Sequence, residues 1–344
     1  MDYTELIHKS MSEKGINGET QDYVIKYISM NQKLFGNYLD IDRVVSRVLT
    51  NLNYSITSVD KSKNPLSELI RIATKRGTWS AYDNKILISP INKVLSKISQ
   101  DKKARLDSTI FHEIDHCATT EYVKINNYDK NQYIQNYLIH NNIKNTNAFI
   151  QNINRMYEKA NGMLSISGIF DVRQYINNGI NLRSLNEGIT AYKQEMYDKF
   201  LGNKSYTPYG TEKKVAKFIG SVIGEENLIS MHFNNDYEGI RKAFNEKTGQ
   251  DLNDLVKEMN KKSLLKTLLF GKLYTKSFSK KIERKIAQYE ISNPERNENI
   301  QHKAKVFRDS LIVDLLVDGK EQTNEYDKQK ETNKTKVKIE DLEH

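Results

Sequence analysis

One cysteine, one tryptophan and four prolines in 344 residues exclude several architectures at once. A lone thiol, Cys117, forms no internal disulfide and supplies no multi-thiolate zinc ribbon. So few prolines exclude collagen-like and proline-rich linker chains. No run of about 18 apolar residues occurs, so nothing reads as a transmembrane segment. The most apolar short run, Leu264 to Phe270, is interrupted by Lys266. The opening Met1-Asp2-Tyr3-Thr4-Glu5 has no basic region followed by an apolar one, and without a secretory signal cytoplasmic residence is the expectation, although specialised export leaves no such mark. No repeat of fixed period is present, which excludes solenoids and propellers.

What remains is globular in composition, 38% hydrophobic and 28% charged. The net charge of +9 is mostly local: residues 257–285 hold ten Lys and Arg against two Glu. That segment also carries Leu264, Leu265, Leu268, Leu269, Phe270 and Leu273, which suits weak contact with an anionic surface, while a solvated basic face is the commoner meaning of such a run. No specific nucleic-acid partner is expected.

Apolar residues at three- and four-residue spacing predict helices over 23–35 and 41–52. Trp79 to Ile88 reads as strand, turn and strand around Asp83-Asn84, with Pro90 closing it and a helical pattern over 91–98. From Ser108 the chain reads as almost wholly helical, with helices over 108–122, 130–140, 146–159, 185–201, 211–223, 236–248, 251–262, 279–290 and 299–316. The tail from Gly319 is charged and poor in apolar residues, the composition of disorder. The expected class is α+β: a small twisted sheet around 53–89 packed on one central helix, then a helical lobe, with a metal in the cleft between them. The boundaries implied are 1–125, 126–320 and a tail over 321–344.

The central helix carries the chemistry. Ser108 to Ala118 contains His112-Glu113-Ile114-Asp115-His116, an HExxH pattern that composition alone produces roughly 0.01 times in such a chain. On a helix the two histidines stand about 40° apart, while Ile110, Phe111, Ile114, Cys117 and Ala118 gather on the other side as a core face. Two imidazoles one turn apart point at one ion, and Glu113, rotated away, reaches a water without ligating the metal. Ordinary hydrogen bonding on a polar face is the competing reading for the pair. The isolated His8, His140, His232 and His302 read as surface or packing residues.

Two histidines leave such a site one ligand short. Leu185-Asn186-Glu187-Gly188-Ile189-Thr190-Ala191-Tyr192 opens a second amphipathic helix whose apolar positions Leu185, Ile189, Tyr192, Met196 and Phe200 lie opposite Glu187. Glu187 is the candidate third ligand. The same letters, Ser184 to Glu187, also form a capping box, in which Glu187 would serve the helix end instead. Gly188 costs helix propensity and points to close approach of another group.

These two segments resemble the gluzincin metallopeptidases, over less than a tenth of the chain. The resemblance implies one zinc ion per chain held by His112, His116 and Glu187, with Glu113 as general base and proton shuttle in hydrolysis of a peptide or protein substrate. It also implies that Trp79 to Ile88 is the edge strand along which an extended peptide lies. The chain departs from the thermolysin-like members in the long separation of His116 from Glu187 and in Ala191, which stands where they place an Asp behind a ligand histidine. A Tyr or His beyond the third ligand usually stabilises the transition state in this group, which makes Tyr206 and Tyr209 candidates, with Tyr209 preferred. The peptide deformylases share the central letters, but their glycine-rich loop and Glu-Gly-Cys segment are missing, and Cys117 reads as a small core residue. The alternative to hydrolysis is a catalytically inactive zinc protein that binds a peptide or protein.

Overall fold

The computed structural model describes residues 2–58, 76–81, 83–124, 163–171, 181–204, 207, 209–261 and 264–291. Three helices open it: α1 (Thr4–Glu13), α2 (Gly18–Phe35) and α3 (Ile41–Asn51). Side-chain caps fix two of the starts, Asn17 accepting from the Thr20 N–H and Asp40 from the Arg43 N–H. Their apolar stripes, including Val24, Tyr27 and Ile28 of α2 and Val44, Val45 and Val48 of α3, are buried in a core shared with the HExxH helix.

A hairpin follows at the expected place. Strand β1 (Gly77–Ser80) pairs antiparallel with β2 (Lys85–Ile88), Trp79 opposite Ile86. Asn84 turns the chain at φ 50, in the left-handed region that asparagine tolerates. Thr57 adds a parallel bridge to Leu87 on the far side of β2, which leaves β1 at an edge among the described residues. Pro90 occupies the first turn of α4 (Pro90–Leu95), where its missing N–H is not needed.

The HExxH helix, α5 (Gln100–Ala118), starts earlier than the expected 108 because Ser99 caps it through the Lys102 N–H. It also ends earlier than the expected 122. The Asn51 amide donates to the carbonyls of Cys117 at 2.9 Å and Thr120 at 2.8 Å, satisfying the helix end and the start of β3 (Thr120–Lys124) together. β3 pairs with β4 (Met163–Ser167) and β4 with β5 (Phe170–Asp171), all antiparallel. This second sheet corrects the expectation of an almost wholly helical chain after Ser108. Thr120, Tyr122 and Val123 favour a pleated backbone, and Gly168, at φ +54, makes the turn into β5.

Six helices complete the described chain: α6 (Arg183–Phe200), α7 (Gly210–Ile223), α8 (Glu225–Phe233), α9 (Tyr237–Thr248), α10 (Leu252–Asn260) and α11 (Leu264–Ile291). Four of the expected spans are met to within a residue or two. The expected 279–290 is the end of the longer α11, and α8 was not anticipated. Gly224, at φ +96, ends α7 and begins α8 in a conformation open to few other residues. The helices expected over 130–140, 146–159 and 299–316, and the tail from Gly319, lie outside the described residues.

The class is α+β with helices predominant. Residues 1–289 form one unit and the segment from 290 a second, of which only the first two residues are described. No helix among the described residues is long and apolar enough to cross a membrane. Phe278, Ile282, Ile286 and Tyr289 of α11 are buried, and the largely exposed Lys261 and Lys281 pair with Glu258.

Candidate metal centre

Helix α6 lies along α5, and the seam between them is polar. Of the side chains expected on the apolar face of α6, Leu185 and Ile189 are fully buried, whereas Phe200 is 44% exposed. Lys193, Gln194, Glu195 and Asp198 are buried instead. Each has a partner that offsets its desolvation. The Lys193 ammonium donates to Asp115 at 2.5 Å, both groups wholly out of solvent. Gln194 meets His112 and Ser108, and Ser108 donates to Asp198. Glu195 takes Lys213 and Lys217 from α7.

This docking brings Glu187 to the two histidines. Its Oε2 lies 3.2 Å from His112 Nε2 and 3.2 Å from His116 Nε2, and the two nitrogens are 3.2 Å from each other. The three atoms form an equilateral triangle. The centre of a tetrahedron built on it lies about 2.0 Å from each corner, the length of a first-row metal bond to imidazole or carboxylate. An ion at that centre would take one lone pair from each Nε2 and one from the carboxylate oxygen. His112, His116 and Glu187 therefore form a group that can hold a metal ion.

The capping alternative for Glu187 does not survive. α6 begins at Arg183 with Leu182 as its cap residue and no side-chain cap bond, which puts Ser184 inside the helix. Gly188 has the close neighbour its choice implied: a Cβ there would stand 2.4 Å from the Glu212 carbonyl oxygen of α7. Gly188→Ala should therefore push α6 from α7, lowering stability by about 1–3 kcal/mol in a urea melt and displacing the adjacent Glu187. An unchanged midpoint would mean that the helices separate at no cost.

Glu113 sits beside the triangle and off it. The Trp79 backbone N–H donates to its Oε2 at 2.6 Å, and the Trp79 indole N–H donates to Thr120 Oγ1 at 3.0 Å, whose hydroxyl reaches the His116 carbonyl. β1 can press this close because residue 77 is glycine: a Cβ there would meet Glu113 Oε1 at 2.8 Å and Thr109 Cγ2 at 2.7 Å. Burial pushes the Glu113 carboxyl above the ordinary range, and the neighbouring histidines and the Trp79 N–H only partly offset it. Burial would also raise Glu187, but the two imidazoles outweigh it and hold that carboxyl well below the ordinary range. His116 is pulled down by burial and lifted further by Glu187, to about 9 without a metal.

Tyr209, the cap residue of α7, lays its ring parallel to His112 with centroids 5.5 Å apart. Its hydroxyl bonds to Glu187, and burial with that carboxylate keeps the phenol protonated. Tyr206 lies outside the described residues, as do His140 and His302. His8 is at the surface against Gln21. His232 is a packing residue: fully buried, pulled down to about 3 by burial and Lys193, and 2.9 Å from Asn186 Oδ1. Cys117 is buried in the core, as expected.

Sequence reasoning missed Ser108, Lys193 and Asp198 at this seam. A Lys, Gln and Asp within six positions of an otherwise amphipathic helix was the available signal. No protein-family model, characterised protein or solved structure matches the chain.

Proposed function

We propose that this chain is a zinc-dependent peptidase of the gluzincin type. The observation that carries the reading is the 3.2 Å triangle of His112, His116 and Glu187 with Glu113 on the next residue of the same helix. Zinc suits a ligand set of two imidazoles and one carboxylate with a fourth position left open, and when bound it supplies Lewis acidity toward a water and a peptide carbonyl.

The chain's own residues supply the rest. Glu113, with its proton affinity raised by burial, takes a proton from the attacking water and returns it to the departing amine. The Trp79 N–H holds Glu113 Oε2, which leaves Oε1 to carry that proton. Tyr209, its hydroxyl turned from Glu187, offers its proton to the charge that develops on the carbonyl oxygen. In this reading β1 is the edge along which an extended peptide substrate pairs.

The test is elemental analysis of metal per chain for the wild type and Glu187→Ala side by side, followed by incubation of the wild type with a peptide library. One zinc in the wild type, lost in the variant, and cleavage that a chelator abolishes are expected. Zinc retained by Glu187→Ala, iron in place of zinc, or no metal at all would overturn the reading. Zinc without cleavage of any peptide would favour a protein that binds peptides and does not hydrolyse them.

A further inference from the structure

Behind His112 runs a chain of three buried hydrogen bonds. His112 Nδ1 is 3.1 Å from Gln194 Oε1, Gln194 Nε2 donates to Ser108 Oγ at 2.5 Å, and Ser108 Oγ donates to Asp198 Oδ2 at 2.8 Å. All four side chains are buried. Each bond crosses the seam, from α5 to α6, back to α5 and again to α6.

Its direction follows from what each group can do. A carboxylate only accepts, so the single proton of the Ser108 hydroxyl points at Asp198. The Ser108 oxygen then accepts from its other neighbour, which turns the NH₂ of Gln194 toward it. That leaves Gln194 Oε1 against the ring, and an amide oxygen also only accepts. His112 must therefore carry its proton on Nδ1, and a neutral imidazole so protonated has its lone pair on Nε2, the atom in the triangle.

The triangle shows why this matters. Glu187 Oε2 is 3.2 Å from both Nε2 atoms, so on geometry alone either histidine could give it a proton. A ring that does so presents N–H, not a lone pair, to a metal.

We propose that Gln194, Ser108 and Asp198 are positioning residues that hold His112 in its Nδ1–H form and so keep Nε2 free as a metal ligand, with Asp198 setting the direction of the whole chain. The proposal rests on the metal reading above. It gives His112 a neutral amide where a carboxylate commonly stands behind a ligand histidine, and the negative charge is moved two links away. The proton shared in the triangle without metal then belongs to His116.

Asp198→Asn tests the direction without touching His112. An asparagine can donate to Ser108, which frees the serine proton for Gln194 Oε1, turns the amide over and presents an N–H to Nδ1. Two readouts apply: zinc affinity by competition with a chromophoric chelator, and the ring ¹⁵N resonances of His112 in metal-free protein at a pH where the imidazoles are neutral. Expected results are an Nε2–H population at His112 in Asp198→Asn and about 10–100-fold weaker zinc binding in both Asp198→Asn and Gln194→Leu. Gln194→Glu, which keeps an acceptor against Nδ1, should stay within a few-fold of wild type. Should Asp198→Asn not fold, Ser108→Ala, which cuts the chain at its middle, is read in the same way.

A folded Asp198→Asn or Ser108→Ala with His112 wholly in the Nδ1–H form and wild-type zinc affinity would overturn the proposal. Wild-type protein that binds no zinc would sink the metal reading instead. The nitrogen resonances, which need no metal, would still decide whether the chain sets the tautomer.

Discussion

Glu113→Gln is expected to keep its metal and to lose about 10²–10⁴-fold in turnover, the range by which positioned acid–base groups accelerate reactions. The substitution is nearly isosteric, and the geometry around Glu113 leaves room for little else, with β1 held against it at Gly77. A glutamine oxygen still accepts the Trp79 N–H, so the strand has no reason to move. None of the three triangle atoms changes. What is lost is a group able to take a proton and give it back. The comparison is equal metal content by elemental analysis beside initial rates on whichever peptide the wild type cleaves. Rates within a few-fold of wild type would remove Glu113 from the chemistry.

The second large effect concerns stability. Lys193→Met should cost about 3–5 kcal/mol, because it leaves the Asp115 carboxylate buried without its cation. Burial alone would raise the Asp115 carboxyl, and the Lys193 ammonium outweighs it to hold the group ionised. The Tyr27 hydroxyl at 2.8 Å and the Tyr197 hydroxyl at 3.2 Å also donate to it, so the site is built for a negative charge. The uncharged pair Asp115→Asn with Lys193→Met should recover most of the loss, since an asparagine oxygen still accepts from Tyr27 and no lone charge remains. Denaturant midpoints of the two single variants and the double variant measure this. If Lys193→Met alone were as stable as wild type, the pair would be incidental to the fold.

The site was more legible in the sequence than the scaffold around it. His112, Glu113 and His116 stood out because HExxH fixes residue type and spacing within one helix, whereas Glu187, some seventy residues on, rested on an amphipathic pattern that a capping box also fits. The Asp83-Asn84 turn was legible for a similar local reason. The second sheet was not, because β3 and β4 pair across a separation of some forty residues and their alternation is too short to stand against the helical patterns around them. The buried face of α6 departs from its apolar pattern. Phe200 faces solvent, and Lys193 does not. Hydropathy ranks residues by the cost of burying them alone. It carries no information about Asp115 waiting on the next helix, and that partner reverses the ranking.

Trp79 has one more property. It is the only tryptophan in the chain. Its indole N–H is bonded to Thr120 and its backbone N–H to Glu113, so a natural fluorophore sits one hydrogen bond from the proposed base and two from the carbonyl of His116. Tryptophan emission from the unmodified protein therefore comes wholly from this corner of the molecule. Occupation of the triangle by an ion, or a peptide laid along β1 as proposed, would change the field and the solvent around that single indole, so the protein would carry its own optical reporter for either event.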